Sequence, residues 1–208
     1  GAGATDIPIK GTLTIEAGQW HLSFEGTAAQ VEGNINCPLS VTAAAAYYSL
    51  RCLLPAQIPD CAGAFSVLSL SAPEGCLVNA RGPAAVAAGN VETSSRIVDV
   101  CLGILAQVIP ERIPAASQGT MNNLAIGSRE SGNEWHYYET IGGGGGAHAA
   151  GPGLSGVHSH MTNTRNTPIE SLELHYPMRL WSYRLRTDSG GPGRSCGGDG
   201  VMRDYEFL

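Results

Sequence analysis

The sequence predicts an α+β fold with mixed, largely antiparallel sheets, several hairpins and two or three packed helices. Three observations predict it. Short β-rich runs occur in pairs around turn residues, a pattern typical of hairpins. Two longer stretches place apolar residues at helical spacing. Hairpins rather than helical crossovers join most of the strands, which separates this pattern from a regular alternation of strand and helix.

The first elements follow from residues 8–70. Two β-rich runs, Ile9–Ile15 and Trp20–Phe24, flank a four-residue turn and predict a hairpin. Pro38 suits the first turn of a helix, which we expect to run to about Leu54. The run Phe65–Leu70 alternates only in part, which predicts a strand buried on both faces.

A second helix is predicted from Asn90, a good N-cap residue, to about Val108. Its opposite face carries Glu92 and Arg96, whose spacing and order favour an i, i+4 ion pair. The apolar face consists of Ile97, Cys101, Ile104, Leu105 and Val108. The first half of the chain is therefore predicted to contain two packed helices.

The second half is predicted to be mainly β-structure. Met121–Gly127 and Glu134–Ile141 flank a glycine-containing turn and predict a second hairpin. Further strands are expected at Ile169–Tyr176, Arg179–Arg186 and Val201–Leu208. The last of them ends the chain without a partner strand, although proteins usually protect such an edge. We therefore expect residues 1–208 to be a single segment that is incomplete at both ends.

Composition argues against several classes of function. The net charge is −6 and the basic residues are scattered, so we expect no nucleic acid as a partner. No stretch reaches the roughly 18 apolar residues of a membrane span, so we expect no membrane contact. Six irregularly spaced cysteines without a secretion signal predict reduced thiols in the cytoplasm. Only 14% of the residues are charged, which predicts a surface that other proteins cover.

The strongest local signal is the polar segment from His158 to Glu170. Such loops on a rigid scaffold are common sites of binding and catalysis. In an extended segment His158 and His160 point to the same side, which predicts a paired imidazole site for acid–base chemistry or metal binding. The alternative is a loop whose polar groups bond one another and brace the fold. For metal binding we favour this alternative, because no third or fourth ligand is identifiable.

Glycine dominates the segment from Gly142 to Gly156. Its five consecutive glycines, 142–146, allow the backbone to approach a ligand closely, and a flexible connector is the alternative. The segment has neither the lysine of a P-loop nor a following helix, so it does not predict a nucleotide site. A second polar cluster, Ser117–Asn123, precedes a strand. The glycine pairs that flank Arg194 predict turns.

Four motifs occur in the order in which the hydantoinase B/oxoprolinase family has them. They are Gly89–Ser94, Ala116–Asn123, Tyr138–Gly144 and His158–Glu170. Two further stretches, 188–193 and 197–200, continue the match. From about Phe24 onward, the chain therefore resembles the carboxyl half of a B-type subunit of this family.

The resemblance implies a component of an ATP-dependent cyclic-amide hydrolase. Family members act with a hydantoinase A-like, ATP-binding partner and open rings such as hydantoins, 5-oxoproline or lactams. Relatives carboxylate ketones such as acetone or acetophenone, and a catalytically silent structural subunit is a further alternative. The Asn-Asp-Pro and His-rich stretches of the family's amino-terminal half are absent here. We therefore expect ATP and a divalent metal to bind outside this chain, on the partner or on the remaining part of the B-type subunit.

The candidate site residues are those that stand inside the matched motifs. We predict catalytic roles for His158, His160 and Glu139. We predict substrate binding by Asn163, Thr164, Arg165, Asn166, Gly143, Gly144, Gln118, Asn122 and Glu92. No metal ligand is assigned to this chain.

Overall fold

The computed structural model describes residues 6–208, which form two compact units. The first unit ends at Pro114 and the second begins at Ala115. Within residues 6–208, three α-helices occur together with small, mainly antiparallel sheets, which confirms the predicted α+β class. No helix in this part of the chain combines the length and the hydropathy that crossing a membrane requires.

The first unit opens with the predicted hairpin. Strand β1 (Thr12–Glu16) pairs antiparallel with β2 (Gln19–Ser23). The two turn residues, Ala17 and Gly18, have φ values of 49° and 79°. Positive φ at both positions is the geometry of a tight turn that matches the twist of the strands it joins.

Strand β3 (Leu68–Ser71) completes this sheet by pairing parallel with β2. Leu68 is buried, whereas Ser69 and Ser71 are exposed. The prediction of a strand buried on both faces was therefore wrong. The alternation of leucine and serine places one face of the strand against the core and the other towards solvent.

Two helices, α1 (Leu39–Arg51) and α2 (Ser94–Ala106), pack on one another in the first unit. Pro38 precedes α1 with an extended backbone, close to the predicted start. Both helices contribute to an apolar core. Its fully buried members include Phe24, Ala45, Ile97 and Val98. Removal of this apolar surface from water is the main source of stability for such a unit.

The start of α2 differs from the prediction. A π-helical turn, Gly89–Thr93, precedes the helix, so Asn90 lies within this turn rather than at the N-cap. A Cβ at Gly89 would collide with the backbone carbonyl of Asn36, so the turn depends on close backbone packing. Glu92 and Arg96 form the predicted ion pair at 3.1 Å. Val108 lies beyond the helix and is 79% exposed, so it does not belong to the apolar face.

The second unit contains two antiparallel strand pairs. Strands β4 (Asn122–Ser128) and β5 (Trp135–Ile141) form the predicted second hairpin. Strands β6 (Met178–Arg186) and β7 (Gly200–Phe207) form the other pair, with an irregularity between Leu180 and Ser182. The prediction that the final strand has no partner was therefore wrong, because β6 pairs along it.

Helix α3 (Ile169–His175) occupies the segment that was predicted to be a strand. Ile169, Leu172 and Tyr176 recur at i, i+3 and i+7, which is the spacing of one helix face. Leu172 is fully buried and packs in a core cluster with Tyr137 and Met178. This packing, together with Pro168 immediately before the helix, outweighs the β-like composition of the segment.

All six cysteines are free thiols. Burial raises the pKa of Cys37 to about 11 and that of Cys101 to about 12, so both stay protonated at neutral pH. Cys76 is also buried. The exposed cysteines are Cys52, Cys61 and Cys196.

Two leucines of α3 provide a direct test of the helix. Leu172 is fully buried and Leu174 is 80% exposed, although a strand would point both to the same side. We expect Leu172→Ala to lower the free energy of unfolding of this unit by about 2–5 kcal/mol. Leu174→Ala is the matched control and should change it by less than about 0.5 kcal/mol. Urea denaturation measures both, and similar losses in the two variants would contradict the helix.

Candidate functional site

A surface cleft of about 590 Å³ lies within the second unit. Three irregular stretches line it, at positions 115–118, 144–149 and 189–198. This volume lies in the range of about 300–1,000 Å³ that is typical of small-molecule sites. Two of the predicted binding residues, Gln118 and Gly144, contribute to its walls.

Glycine allows these stretches to pack backbone against backbone. The Gly144 carbonyl accepts a hydrogen bond from the Gln118 N–H at 3.1 Å, and the Gly145 N–H donates to the Leu154 carbonyl at 2.9 Å. A Cβ at Gly144 would collide with the carbonyl oxygen of Gly198. The glycine run is therefore part of the packed structure rather than a flexible connector. The glycine backbone closely approaches other segments of the same unit.

Asp199 fixes the loop that forms the third wall. Its Oδ1 accepts hydrogen bonds from the N–H groups of Ser189 and Gly190, at 3.0 and 2.9 Å. A further bond, from the Gly197 N–H to the Gly191 carbonyl at 2.9 Å, closes the loop on itself. The residues between them, including Arg194, are presented to the cleft by a closed loop.

A buried ion pair between Glu139 and Arg203 forms the polar centre of the second unit. Each side chain is only 3% exposed. The Asn166 side-chain amide and the Thr167 N–H each donate to Glu139 Oε1 at 2.9 Å. Arg203 Nη1 donates to Oε2. Both carboxylate oxygens are therefore occupied by donors from the protein.

Asn166 and Arg203 extend this network to other elements. The Asn166 amide also donates to the Thr140 carbonyl at 2.9 Å, and its Oδ1 accepts from the Tyr183 hydroxyl at 3.0 Å. The Arg203 guanidinium lies 4.6 Å from the ring centre of Tyr183 and 5.3 Å from that of Tyr205. Its Nε and Nη2 are buried without a hydrogen-bond partner in residues 6–208, so stacking on the two rings is its main further contact.

The network controls the ionisation of Glu139. Burial acts to raise the pKa of this carboxyl. The hydrogen bonds from Asn166 and Thr167 and the charge of Arg203 outweigh burial, so the pKa lies below its ordinary value. Glu139 is thus a carboxylate at neutral pH. A catalytic role, as predicted for it, requires one of these hydrogen bonds to break.

The predicted polar segment is held at both ends. Next to its start, Val157 exchanges two backbone hydrogen bonds with Gly143, at 2.8 and 2.9 Å. Towards its other end, Asn166 and Thr167 are bound to Glu139. Between these anchors, Asn163, Thr164 and Arg165 are exposed. Three of the predicted substrate-binding residues therefore form an exposed polar stretch on a fixed support.

The two imidazoles of this segment are not arranged as expected. His160 has a φ of 54° and lies in a turn that a bond from the Thr162 N–H to the Ser159 carbonyl closes at 3.1 Å. The premise of an extended segment, which would point both imidazoles to one side, was therefore wrong. His158 Nδ1 is buried and has no hydrogen-bond partner among the described residues.

The remaining predicted residues are distributed between the units. Gln118 and Gly143 come together, since the Gln118 carboxamide fills the space that a Cβ at Gly143 would need. Gln118 Nε2 donates to the Thr120 carbonyl at 3.1 Å. Asn122 begins β4 and is not among the cleft-lining residues. Glu92 lies in the first unit and pairs with Arg96.

Two cleft residues with ring or guanidinium nitrogens, His148 and Arg194, were not among the predicted site residues. The glycine pairs around Arg194 predicted turns, whereas the structure has one wider loop with bends at Gly190 and at 193–195. Spacing alone does not reveal that this loop folds against a second glycine segment. His148 carried no local motif.

Two backbone N–H groups of the glycine segment are already used within the second unit. Backbone N–H groups are what a phosphate cradle supplies, but those of Gly143 and Gly145 already donate to the carbonyls of Val157 and Leu154. The chain's single lysine, Lys10, lies in the first unit. Within residues 6–208, no group of three or more His, Cys, Asp or Glu side chains is arranged to hold a metal ion.

Fold and cleft together define an α+β segment with a glycine-walled, small-molecule-sized site in its second unit. The chain belongs to the hydantoinase B/oxoprolinase family, whose model matches residues 2–208. 5-Oxoprolinase 1 of Arabidopsis thaliana is 43% identical over 201 residues. That match covers 97% of this chain and 15% of the plant protein.

Two solved structures have a similar fold. The ATP-dependent caprolactamase of Pseudomonas jessenii matches with a TM-score of 0.84 and 28% identity, over 100% of this chain and 37% of that one. A nucleotide-free acetone carboxylase matches with a TM-score of 0.79 and 20% identity, over 95% of this chain and 27% of that one. The second likeness concerns the fold alone. The chain thus spans between 15 and 37% of the length of these three proteins.

The buried ion pair leads to a prediction about stability. Glu139→Gln leaves the Arg203 charge buried without a counter-charge, so we expect a loss of about 3–5 kcal/mol in unfolding free energy at neutral pH. The control is Glu206→Gln, whose pair with Arg179 is 3.9 Å long and about half exposed. It should cost less than about 1 kcal/mol.

The pH dependence of this loss follows from the direction of the Glu139 pKa shift. Because the folded state lowers this pKa, the stabilisation is complete above the unfolded-state value of about 4.3 and is lost as pH falls through the folded-state value. Urea denaturation should therefore show a gap between wild type and Glu139→Gln that narrows below about pH 4. A gap that is constant down to acidic pH would contradict the ion-pair origin.

Proposed function

We propose that this chain is one component of an ATP-dependent enzyme that hydrolyses cyclic amides, acting with a hydantoinase A-like, ATP-binding partner. The observation that carries the proposal is the match to a 5-oxoprolinase along 97% of the chain, at 43% identity. The fold of an ATP-dependent caprolactamase, matched over the whole chain, supports the same class of reaction. An unstrained amide carbonyl is a poor electrophile, which gives a chemical reason for consuming ATP.

The proposal includes an ATP-binding partner, because the glycine segment is packed within its own unit. Its N–H groups at 143 and 145 are used within the second unit, and the described residues hold no metal-binding group. We further propose, as the family resemblance implies, that ATP and a divalent metal bind outside this chain. The role left to the chain is to bind and orient the cyclic amide and to exchange protons with it.

Within the chain, the cleft and the polar segment are the proposed substrate-facing surfaces. The hydrogen-bonded pair Gly143–Val157 connects them, because the cleft wall begins at Gly144 and the polar segment begins at His158. Glu139 is better suited to positioning than to direct contact, since its oxygens are occupied. We assign proton transfer to His160 and orientation of the amide to Asn163.

The assembled enzyme provides the main test. We expect ADP release by the full-length protein and its ATP-binding partner to require a cyclic amide such as 5-oxoproline, hydantoin or caprolactam. The 208-residue chain alone should turn over none of them. ADP release that requires a ketone and bicarbonate instead would replace this proposal with a carboxylase. A partner that is fully active without this chain would leave it a structural role.

Substitutions in the polar segment test the assigned residues. His160→Ala should lower turnover about 100-fold, as expected for a proton-transfer group, and Asn163→Ala about tenfold, for one lost substrate hydrogen bond. The control is Asn133→Ala, an exposed asparagine in the turn between β4 and β5. Wild-type turnover in all three variants would refute the assignment. A loss of turnover matched by a loss of melting temperature would favour a loop that only braces the fold.

A further inference from the structure

Six polar side chains line the cleft, and the Arg194 guanidinium is the one with a permanent charge. The six belong to Ser117, Gln118, His148, Ser189, Arg194 and Ser195. No aspartate or glutamate lines the cleft. The nearby carboxylate of Asp199 accepts two backbone N–H groups, so its charge is partly compensated within the loop. The lining therefore combines serine and glutamine groups, which both donate and accept, with a guanidinium charge that no lining carboxylate opposes.

Local contacts fix His148 as one of these donors. The Ala150 N–H donates to His148 Nδ1 at 3.2 Å, so Nδ1 acts as an acceptor. In a neutral imidazole the proton then resides on Nε2, which is left as a donor. The backbones of His148 and Gly151 exchange two hydrogen bonds, at 3.0 and 3.1 Å. The donor is therefore held on a closed turn.

Arg194 is presented in a similar way. It is exposed within the loop that the Gly197–Gly191 hydrogen bond closes, and the Cys196 carbonyl accepts a second bond from the Gly153 N–H at 3.0 Å. Arg194 forms no ion pair with any residue between 6 and 208. A guanidinium on a fixed loop is well suited to binding a planar carboxylate through two parallel hydrogen bonds.

We propose that this cleft is an oxyanion-binding site in which Arg194 and His148 bind the carboxylate of an acidic cyclic amide. The inference rests on the proposed function for the identity of the ring, but the oxyanion chemistry comes from the cleft itself. The cleft then selects carboxylate-bearing rings over neutral lactams of the same size. A free phosphate has the same acceptor chemistry and is the second source that a test must separate.

Direct binding separates these ligands without any turnover. Isothermal titration of the full-length protein with 5-oxoproline, with 2-pyrrolidinone and with inorganic phosphate compares a cyclic carboxylate, the same ring without it, and phosphate. Arg194→Gln should weaken binding of 5-oxoproline at least tenfold, as expected for a hydrogen bond between charged groups, and leave 2-pyrrolidinone unchanged. Arg194→Lys keeps the charge but loses the paired geometry, so its affinity for 5-oxoproline should lie between those of wild type and Arg194→Gln.

The matched control is Arg186→Gln, an exposed arginine at the end of β6 that does not line the cleft. It should bind 5-oxoproline as wild type does. Equal weakening in the two glutamine variants, or equal affinity of wild type for 5-oxoproline and 2-pyrrolidinone, overturns the proposal. Arg194-dependent binding of phosphate alone keeps the oxyanion site and overturns the carboxylate assignment. Arg194-dependent binding of 5-oxoproline by an assembled enzyme that turns over no cyclic amide refutes the proposed function and leaves this site standing.

Discussion

The arrangement of the second unit depends on the buried pair of Glu139 and Arg203. Glu139 belongs to β5 and Arg203 to β7, so the pair ties the hairpin to the second strand pair. Asn166 attaches the polar segment to the same carboxylate, and Tyr183 attaches β6 to Asn166. A carboxylate withdrawn from water needs partners for its oxygens, and Asn166, Thr167 and Arg203 supply them to Glu139, whereas Arg203 itself relies on Glu139 and on two tyrosine rings. These contacts fix the position of the polar segment, which precedes α3, against both strand pairs.

The anchoring has a direct effect on the exposed residues of the polar segment. The side chains of residues 163–165 are exposed. The chain before them is fixed by the hydrogen bonds between Val157 and Gly143, and the chain after them by the bond from Asn166 to Glu139. A polar stretch of this kind loses little conformational entropy when it binds a ligand, because most of that cost is already met on folding. The buried carboxylate of Glu139 thus helps to hold the exposed Asn163 in place.

Sequence reasoning predicted the elements whose signals are local. Both hairpins, the two long helices and the Glu92–Arg96 pair follow from turn residues, apolar spacing and i, i+4 geometry, and the structure contains them. It failed for α3, where a β-like composition concealed a helical spacing that becomes decisive only when Leu172 meets its core. Arg203 could not be identified as the partner of Glu139, because 64 residues separate them. His148 and Arg194 were missed for the same reason, since the fold rather than the local sequence brings them to one cleft.

The glycine walls of the cleft also restrict how its chemistry can change. At Gly144, Gly146 and Gly198 a Cβ would collide with a backbone carbonyl oxygen, so substitution at these three wall positions cannot alter ligand preference without moving the backbone. Adaptation to a different ligand is therefore expected mainly at the polar side chains that line the cleft, such as Ser117, His148 and Arg194. Close backbone packing thus restricts changes in the shape of the cleft, whereas replacement of a few lining side chains can change its chemistry. Related enzymes could thus diverge in specificity by very few replacements while keeping the same fold.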